Sequence, residues 1–316
     1  MIDMLRLVGS SDANMSGRHG DVPPLTSLGG AAHFPAIAML VTLAAMIIPA
    51  DLLASPLAIT ATCAALLLGG LPHGALDLAV VHREAPSRTG RLLMLYIALA
   101  AVMFGAWQIA PTIALALFLA MAVTHFAEDW TATEHPFFAL GISIATIAAP
   151  ALFHHAELAG LFVLIAGEPA AARMADALML IAPVAVACAL LAMLLLWKAG
   201  QRATAVNAAC ALAAMTWLPP VTGFAIYFCL LHSPNHFRAG LNRLAPTVGV
   251  ARSTIVATLG GLAVALAILQ FLPITEPSGR LFVASFMTLS ILTLPHMAVP
   301  LIVRHLGVSA RLSRLR

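Results

Sequence analysis

His73 and Asp77 stand four residues apart in the run 66–81, LLLGGLPHGALDLAVV, whose other members are apolar or small. Such a run suits the interior of a bilayer. A charge at the centre of a spanning helix costs ~2.5–3.5 kcal/mol on insertion scales, so an ionisable residue there marks a functional position. On a helix this spacing puts both side chains on one face, where the carboxylate can accept a proton from one imidazole nitrogen and aim the other, as happens behind a metal-bound histidine. The same stretch also fits a helix-packing site, in which Gly69, Gly70, Gly74 and Ala75 allow close approach and the pair is satisfied internally. His232 and His236, in YFCLLHSPNHFR, repeat the spacing as HxxxH. Two imidazoles pointing one way from a helix are a familiar half of a metal site. Pro234 between them removes a backbone donor and is expected to kink the helix. Two further histidines close or punctuate apolar runs: His125 in AVTHFAEDW and His296 in TLPHMAVP.

The elements that must position these side chains follow from composition. The chain is 61% hydrophobic and only 9% charged, against roughly 25% charged residues in a soluble domain. An all-α, polytopic transmembrane bundle is the expected fold. Apolar runs fall at 34–50, 56–81, 92–110, 112–127, 136–153, 177–197, 203–218, 221–237, 253–273 and 281–303, which suggests about ten spans (8–10), with a short interfacial or re-entrant piece near 158–166. Residues 1–32 read as a poorly ordered cytoplasmic tail without the pattern of a signal peptide, 33–305 as one membrane domain, and 306–316 as a basic cytoplasmic tail. The net charge of +3 is small and leaves no nucleic-acid footprint. Arg83, Arg88 and Arg91, then Lys198 and Arg202, then Arg238, Arg243 and Arg252, fall in alternate loops. By the positive-inside rule these loops are cytoplasmic, and both termini lie inside the cell membrane. His73 then lies ten residues, or ~15 Å, from the inner end of its helix, and His296 eight residues, or ~12 Å, from the inner end of the last. His125, His232 and His236 also end their runs on the inner side. Five histidines from four spans therefore share the cytoplasmic half of the membrane.

Imidazole suits Zn, Cu, Fe and Ni. Cys63, Cys188, Cys210 and Cys229 sit singly in apolar runs, which suggests neither disulfides nor a zinc knuckle. An all-histidine site in an apolar bundle with an open position suits non-haem Fe(II) activating O2 for a lipophilic substrate; structural zinc and a two-histidine haem remain alternatives.

In order along the chain, LPHGALD, HFAED, HSPNH and the late PHM resemble the Brp/Blh family, the bacteriorhodopsin-related-protein-like β-carotene 15,15′-dioxygenases, over about residues 66–303. The resemblance implies a polytopic iron-dependent enzyme that cleaves the central double bond of β-carotene with O2 into two retinal molecules, often destined for a rhodopsin. It implies His73, His125, His232 and His236 as iron ligands and Asp77 as the partner behind a ligand, with His296 either a ligand or a residue on the substrate side. Ala127 stands where the family pattern has Gly, and Asn235 where it has Arg, so substrate fit or polarity around the ligands could differ. The substrate would enter through an apolar tunnel open to membrane lipid. Alternatives are another histidine-cluster oxygenase, such as a lipid desaturase, or a metal- or proton-coupled transporter, although no clear internal repeat supports the last.

Other polar residues have blander readings. His154 and His155 fall at the outer end of their span and diverge by roughly 100° on a helix, so they read as interfacial. His33, His82, His135 and His305 sit at membrane edges. Trp107, Trp130, Trp197 and Trp217 fall near span ends and read as an aromatic belt. Glu128 and Asp129 read as a solvated loop rather than as partners of His125.

Overall fold

The computed structural model describes residues 33–313 apart from 132, 134, 245 and 246. The expected N-terminal tail lies outside the described residues. The described chain is helical throughout, with no strand: α1 His33–Ile47, α2 Ala50–Leu53, α3 Pro56–Ala75, α4 Asp77–Glu84, α5 Thr89–Ile109, α6 Pro111–Phe126, α7 Pro136–Ala148, α8 Pro150–Phe153, α9 His155–Ala166, α10 Ala172–Lys198, α11 Arg202–Trp217, α12 Pro220–Tyr227, α13 Ser233–Leu244, α14 Val248–Phe271 and α15 Pro277–Ser313. Many of these begin on proline, which lacks only a hydrogen that the first turn could not use and whose φ is already helical. Ser55 and Thr247 add side-chain caps, accepting from the Ala58 and Val250 N–H groups at 3.3 and 3.2 Å.

Seven helical stretches among the described residues are long and apolar enough to cross a membrane, fewer than the ten apolar runs suggest. The shortfall has two causes. The described part of α1 and the whole of α11 have 15 and 16 residues, about 22–24 Å of helix against a hydrocarbon core of roughly 30 Å. The run at 221–237 is divided among α12, a π-helical turn at Phe228–His232 and the start of α13, whose sequence SPNHFRAGLNRL is polar. The piece near 158–166 is α9, at 12 residues too short to span. α15 continues to Ser313, so the expected C-terminal tail starts as helix.

The helices approach closely because their contacts are small. Without water to drive association in lipid, packing depends on such residues. α15 is the hub, packed against α3, α5 and α14, with Ser285, Thr288 and Ser290 wholly buried on it. The Ser285 and Thr288 hydroxyls donate to carbonyls of their own helix at 2.7 Å, so burial leaves neither orphaned. α7 lies along α10, where a methyl on Gly141 would be 3.3 Å from Cys188 Cβ. α12 crosses α11 so tightly that a Cβ on Gly223 would be 2.5 Å from the Ala214 carbonyl oxygen. All four cysteines are free, in keeping with their reading as small packing residues.

Two of the four tryptophans depart from the aromatic-belt expectation. Trp107 is buried, and its Nε1–H donates to Ser290 Oγ at 3.0 Å, tying α5 to α15; Trp130 is buried as well. Trp197 and Trp217 are exposed, as a belt requires.

Candidate metal centre

Four segments deliver the five deep histidines to one point: the last turn of α3 (His73), the end of α6 (His125), the π turn and α13 (His232, His236) and the middle of α15 (His296). The His73 ring centroid lies 5.1–6.3 Å from those of the other four, and His125 lies 4.8–5.0 Å from His232, His236 and His296. Two overlapping groups could each hold an ion, His73/His125/His296 and His125/His232/His236, the nitrogens of each lying within 4.8 Å of one another. His125 belongs to both.

Local irregularities in the backbone make this convergence possible. In α3, Pro72 takes one donor out of the ladder, and His73 Nδ1–H donates to the Gly70 carbonyl, which leaves Nε2 for the centre. A side chain on Gly70 would overlap the Phe228 ring, and one on Gly74 would approach His296 Nδ1 to 3.5 Å. Gly70 is therefore a gap into which the Phe228 ring fits, whereas a methyl on Gly74 would make only ordinary contact. Between α12 and α13 the Ser233 N–H donates to the Phe228 carbonyl five residues back, a widened turn that accommodates Pro234. Such π turns recur at functional sites. The deviation expected at Pro234 is thus a local widening ahead of the proline. It is fastened to α3 by Ser233 Oγ donating to the Gly69 carbonyl at 2.6 Å.

Two carboxylates brace the rings, and only one is where the sequence suggests. Asp129, read as part of a solvated loop, is 4% exposed. The turn at Ala127–Trp130 folds it under the bundle, where its Oδ2 accepts from Tyr227 Oη at 2.6 Å and from His232 Nδ1 at 2.8 Å, while Oδ1 lies 3.2 Å from His236 Nε2. Its neighbour Glu128 is 60% exposed and 3.8 Å from His125 Nδ1. Asp77 accepts from His296 Nδ1 at 2.7 Å, not from His73 as the four-residue spacing suggests. The spacing argument needs one continuous helix, but α3 ends at Ala75 and α4 begins at Asp77, so the carboxylate turns toward α15. The order HFAED does contain the signal for Asp129, which is the fourth residue after His125.

The donor chemistry fits a metal. His125 Nε2 and His232 Nε2 are buried without any hydrogen-bond partner, and an unpaired buried imidazole nitrogen is costly unless an ion or proton donor occupies the space. With Nδ1 engaged on His73, His232 and His296, their Nε2 atoms are free lone pairs aimed at shared volume. His154 and His155 stand apart from this group, beside Glu157 at 3.6 Å and Asp176 at 2.9 Å.

A cavity of about 500 Å³ reaches the centre. Its wall includes His73, His125, His296 and Asp77, and is otherwise almost wholly apolar, with Phe118, Phe126, Phe224 and Phe228 among its aromatic side chains. Along α15 it runs from Leu289 to Val299, with His296 between them; ten helical residues span ~15 Å. His232 and His236 are not part of this wall.

Fold and site together define a polytopic helical membrane protein with a histidine centre at the wall of an apolar cavity. The chain belongs to the β-carotene 15,15′-dioxygenase family, which matches residues 63–303. Over 190 residues it is 28% identical to a β-carotene 15,15′-dioxygenase from an uncultured marine bacterium (66A03). That match covers 53% of this chain and 64% of the relative. No solved structure matches the chain.

Proposed function

We propose that this protein cleaves the central 15,15′ double bond of β-carotene with O2, giving two molecules of retinal. The observation that carries this reading is the cavity: an apolar pocket along α15 whose ionisable wall is His73, His125, His296 and Asp77, with His125 Nε2 buried there without a hydrogen-bond partner. A hydrocarbon polyene has nothing to hydrogen-bond, so its position is set by shape and apolar contact. Family membership and the dioxygenase relative support the same reaction.

His73, His125, His232 and His236 would hold Fe(II), with His296 either a further ligand or the residue nearest the polyene. When bound, the iron would supply the electron chemistry that lets O2 attack a carbon–carbon double bond. The overall change balances without another reductant: one O2 is consumed, and each of its atoms becomes one aldehyde oxygen. The chain's own part is positioning. Asp129 holds His232 and His236, the Gly70 carbonyl holds His73, and Asp77 holds His296, so the rings meet the substrate already oriented. The aromatic wall excludes water and fixes which double bond lies beside His73, His125 and His296. We place the histidine end at the cytoplasmic side of the cell membrane on the strength of Arg83, Arg238 and Arg243, with product passing to a retinal-binding rhodopsin.

The test is chromatography of extracts from bacteria that accumulate β-carotene and express this protein or its His73→Ala variant. Retinal with loss of orange colour from the wild type, and neither from the variant, is expected. Unchanged β-carotene beside a well-expressed, membrane-inserted wild type would overturn the reading.

A further inference from the structure

We propose that the substrate enters and leaves the cavity sideways from the bilayer, through a mouth between α5 and α14 whose clearance depends on Gly260. The proposal rests on the carotenoid-cleaving reading and adds the route to the site.

The mouth is located by which wall residues are exposed. Most of the cavity wall is buried or half-buried, but Leu93, Ile97, Val256 and Gly260 are exposed. Leu93 and Ile97 are 41% and 54% exposed, and Val256 is 58% exposed. They form two pairs at four-residue spacing, one pair on α5 and one on α14, and each pair therefore shares one helix face. α5 and α14 both lean on α15 and α4, which close the rear of the cavity. The two helices are thus the jambs of an opening that faces lipid, lined by aliphatic side chains. An exposed apolar opening in a spanning region meets acyl chains, in which a carotenoid is already dissolved, so entry needs no desolvation of the substrate.

Gly260 and Gly261 divide the work on α14. A Cβ on Gly261 would press on Leu71 at 3.2 Å and on Leu292 at 3.5 Å, so this glycine serves packing. A Cβ on Gly260 would meet nothing within 4 Å, although the residue lies in a helix interior where glycine is unfavourable by ~1 kcal/mol relative to alanine. Packing does not require a glycine there. What a side chain at 260 would fill is the mouth.

The test compares the full-length protein with Gly260→Trp and Gly105→Trp in liposomes containing β-carotene. Gly105 also has open space about it, on α5, but is not part of the cavity wall. Under argon, carotenoid retained per chain measures entry without chemistry; after O2 is admitted, the initial rate of β-carotene loss measures turnover. Expected are a tenfold or greater loss of both in Gly260→Trp, both within twofold of wild type in Gly105→Trp, and equal metal content and melting temperature in all three. Retention and turnover within twofold of wild type in Gly260→Trp would overturn the mouth. So would an equal loss in Gly105→Trp, or a loss in Gly260→Trp that tracks reduced metal content or melting temperature. A wild type that retains β-carotene in a manner sensitive to Gly260→Trp yet never cleaves it would refute the proposed reaction and uphold the route. A wild type that neither retains nor cleaves it would refute both.

Discussion

Asp129→Asn isolates the group on which the buried half of the histidine centre depends. The aspartate carries two hydrogen bonds on Oδ2, from Tyr227 at 2.6 Å and His232 at 2.8 Å, and a 3.2 Å contact from Oδ1 to His236. Tyr227 and His232 both donate to Oδ2, and an asparagine has only one acceptor oxygen. If the amide oxygen replaces Oδ2, the NH2 group confronts His236; in the other orientation it confronts both Tyr227 and His232. The cheaper arrangement still loses the His236 contact and the negative charge behind His232. An unmet buried partner costs about 1–3 kcal/mol, and each 1.4 kcal/mol is a factor of about ten in an equilibrium constant. The predicted outcome is metal affinity lowered by about tenfold to a hundredfold, the range typical when a carboxylate behind a ligating histidine is removed. Competition between the purified protein and a chromophoric chelator measures it directly. Glu128→Gln, on a side chain that is 60% exposed, serves as the comparison and should change affinity less than about threefold. Equal affinities for wild type and Asp129→Asn would refute the argument that this carboxylate orients ligands.

Other perturbations separate the remaining parts of the site. His125 belongs to both three-histidine groups, so His125→Ala should lower bound metal per chain more than His236→Ala or His296→Ala, as elemental analysis would reveal. Asp77→Asn should leave metal content near wild type while turnover of β-carotene falls about tenfold, because it frees His296 on the cavity wall; loss of metal instead would make His296 a principal ligand. Gly223→Ala forces a methyl against the Ala214 carbonyl oxygen, 2.5 Å away on a backbone that no rotamer change can move. It should destabilise the bundle by about 1–3 kcal/mol, seen as a lower melting temperature in detergent. Trp107→Phe gives up the bond to Ser290, for a loss of about 0.5–1.5 kcal/mol.

The parts of this architecture that are legible in the sequence are those set by local pattern. Long apolar runs reveal the helices, and the spacing of arginines sorts the histidines by depth, which is why His73, His125, His232, His236 and His296 can be grouped before any fold is known. Their meeting is a property of packing, and it depends on Gly70, whose missing side chain reads equally well as a plain helix contact. The pairing of carboxylates is less visible. Asp77 is four residues from His73 but bonds His296, 219 residues away, because the helix breaks at Leu76; Asp129 bonds His232, 103 residues away, from a turn whose acidic composition suggests solvent. The count of spans is overestimated for a related reason. Hydropathy recognises α1, α11 and Pro220–Tyr227 as apolar, yet Pro49 and Pro219 follow the ends of the first two, and the third gives way to the polar HSPNH motif, which belongs to the centre rather than to the lipid.

The central claim is that the cavity presents the middle of a symmetric polyene to the histidine centre, and product length tests it most directly. Purified, iron-loaded protein is mixed with β-carotene under argon, O2 is admitted, and every carbonyl product is quantified by chromatography. Two retinal molecules for each β-carotene lost, and no longer aldehydes, is the predicted result. Unequal pairs of apocarotenals, or no aldehyde at all from metal-loaded protein, would contradict it.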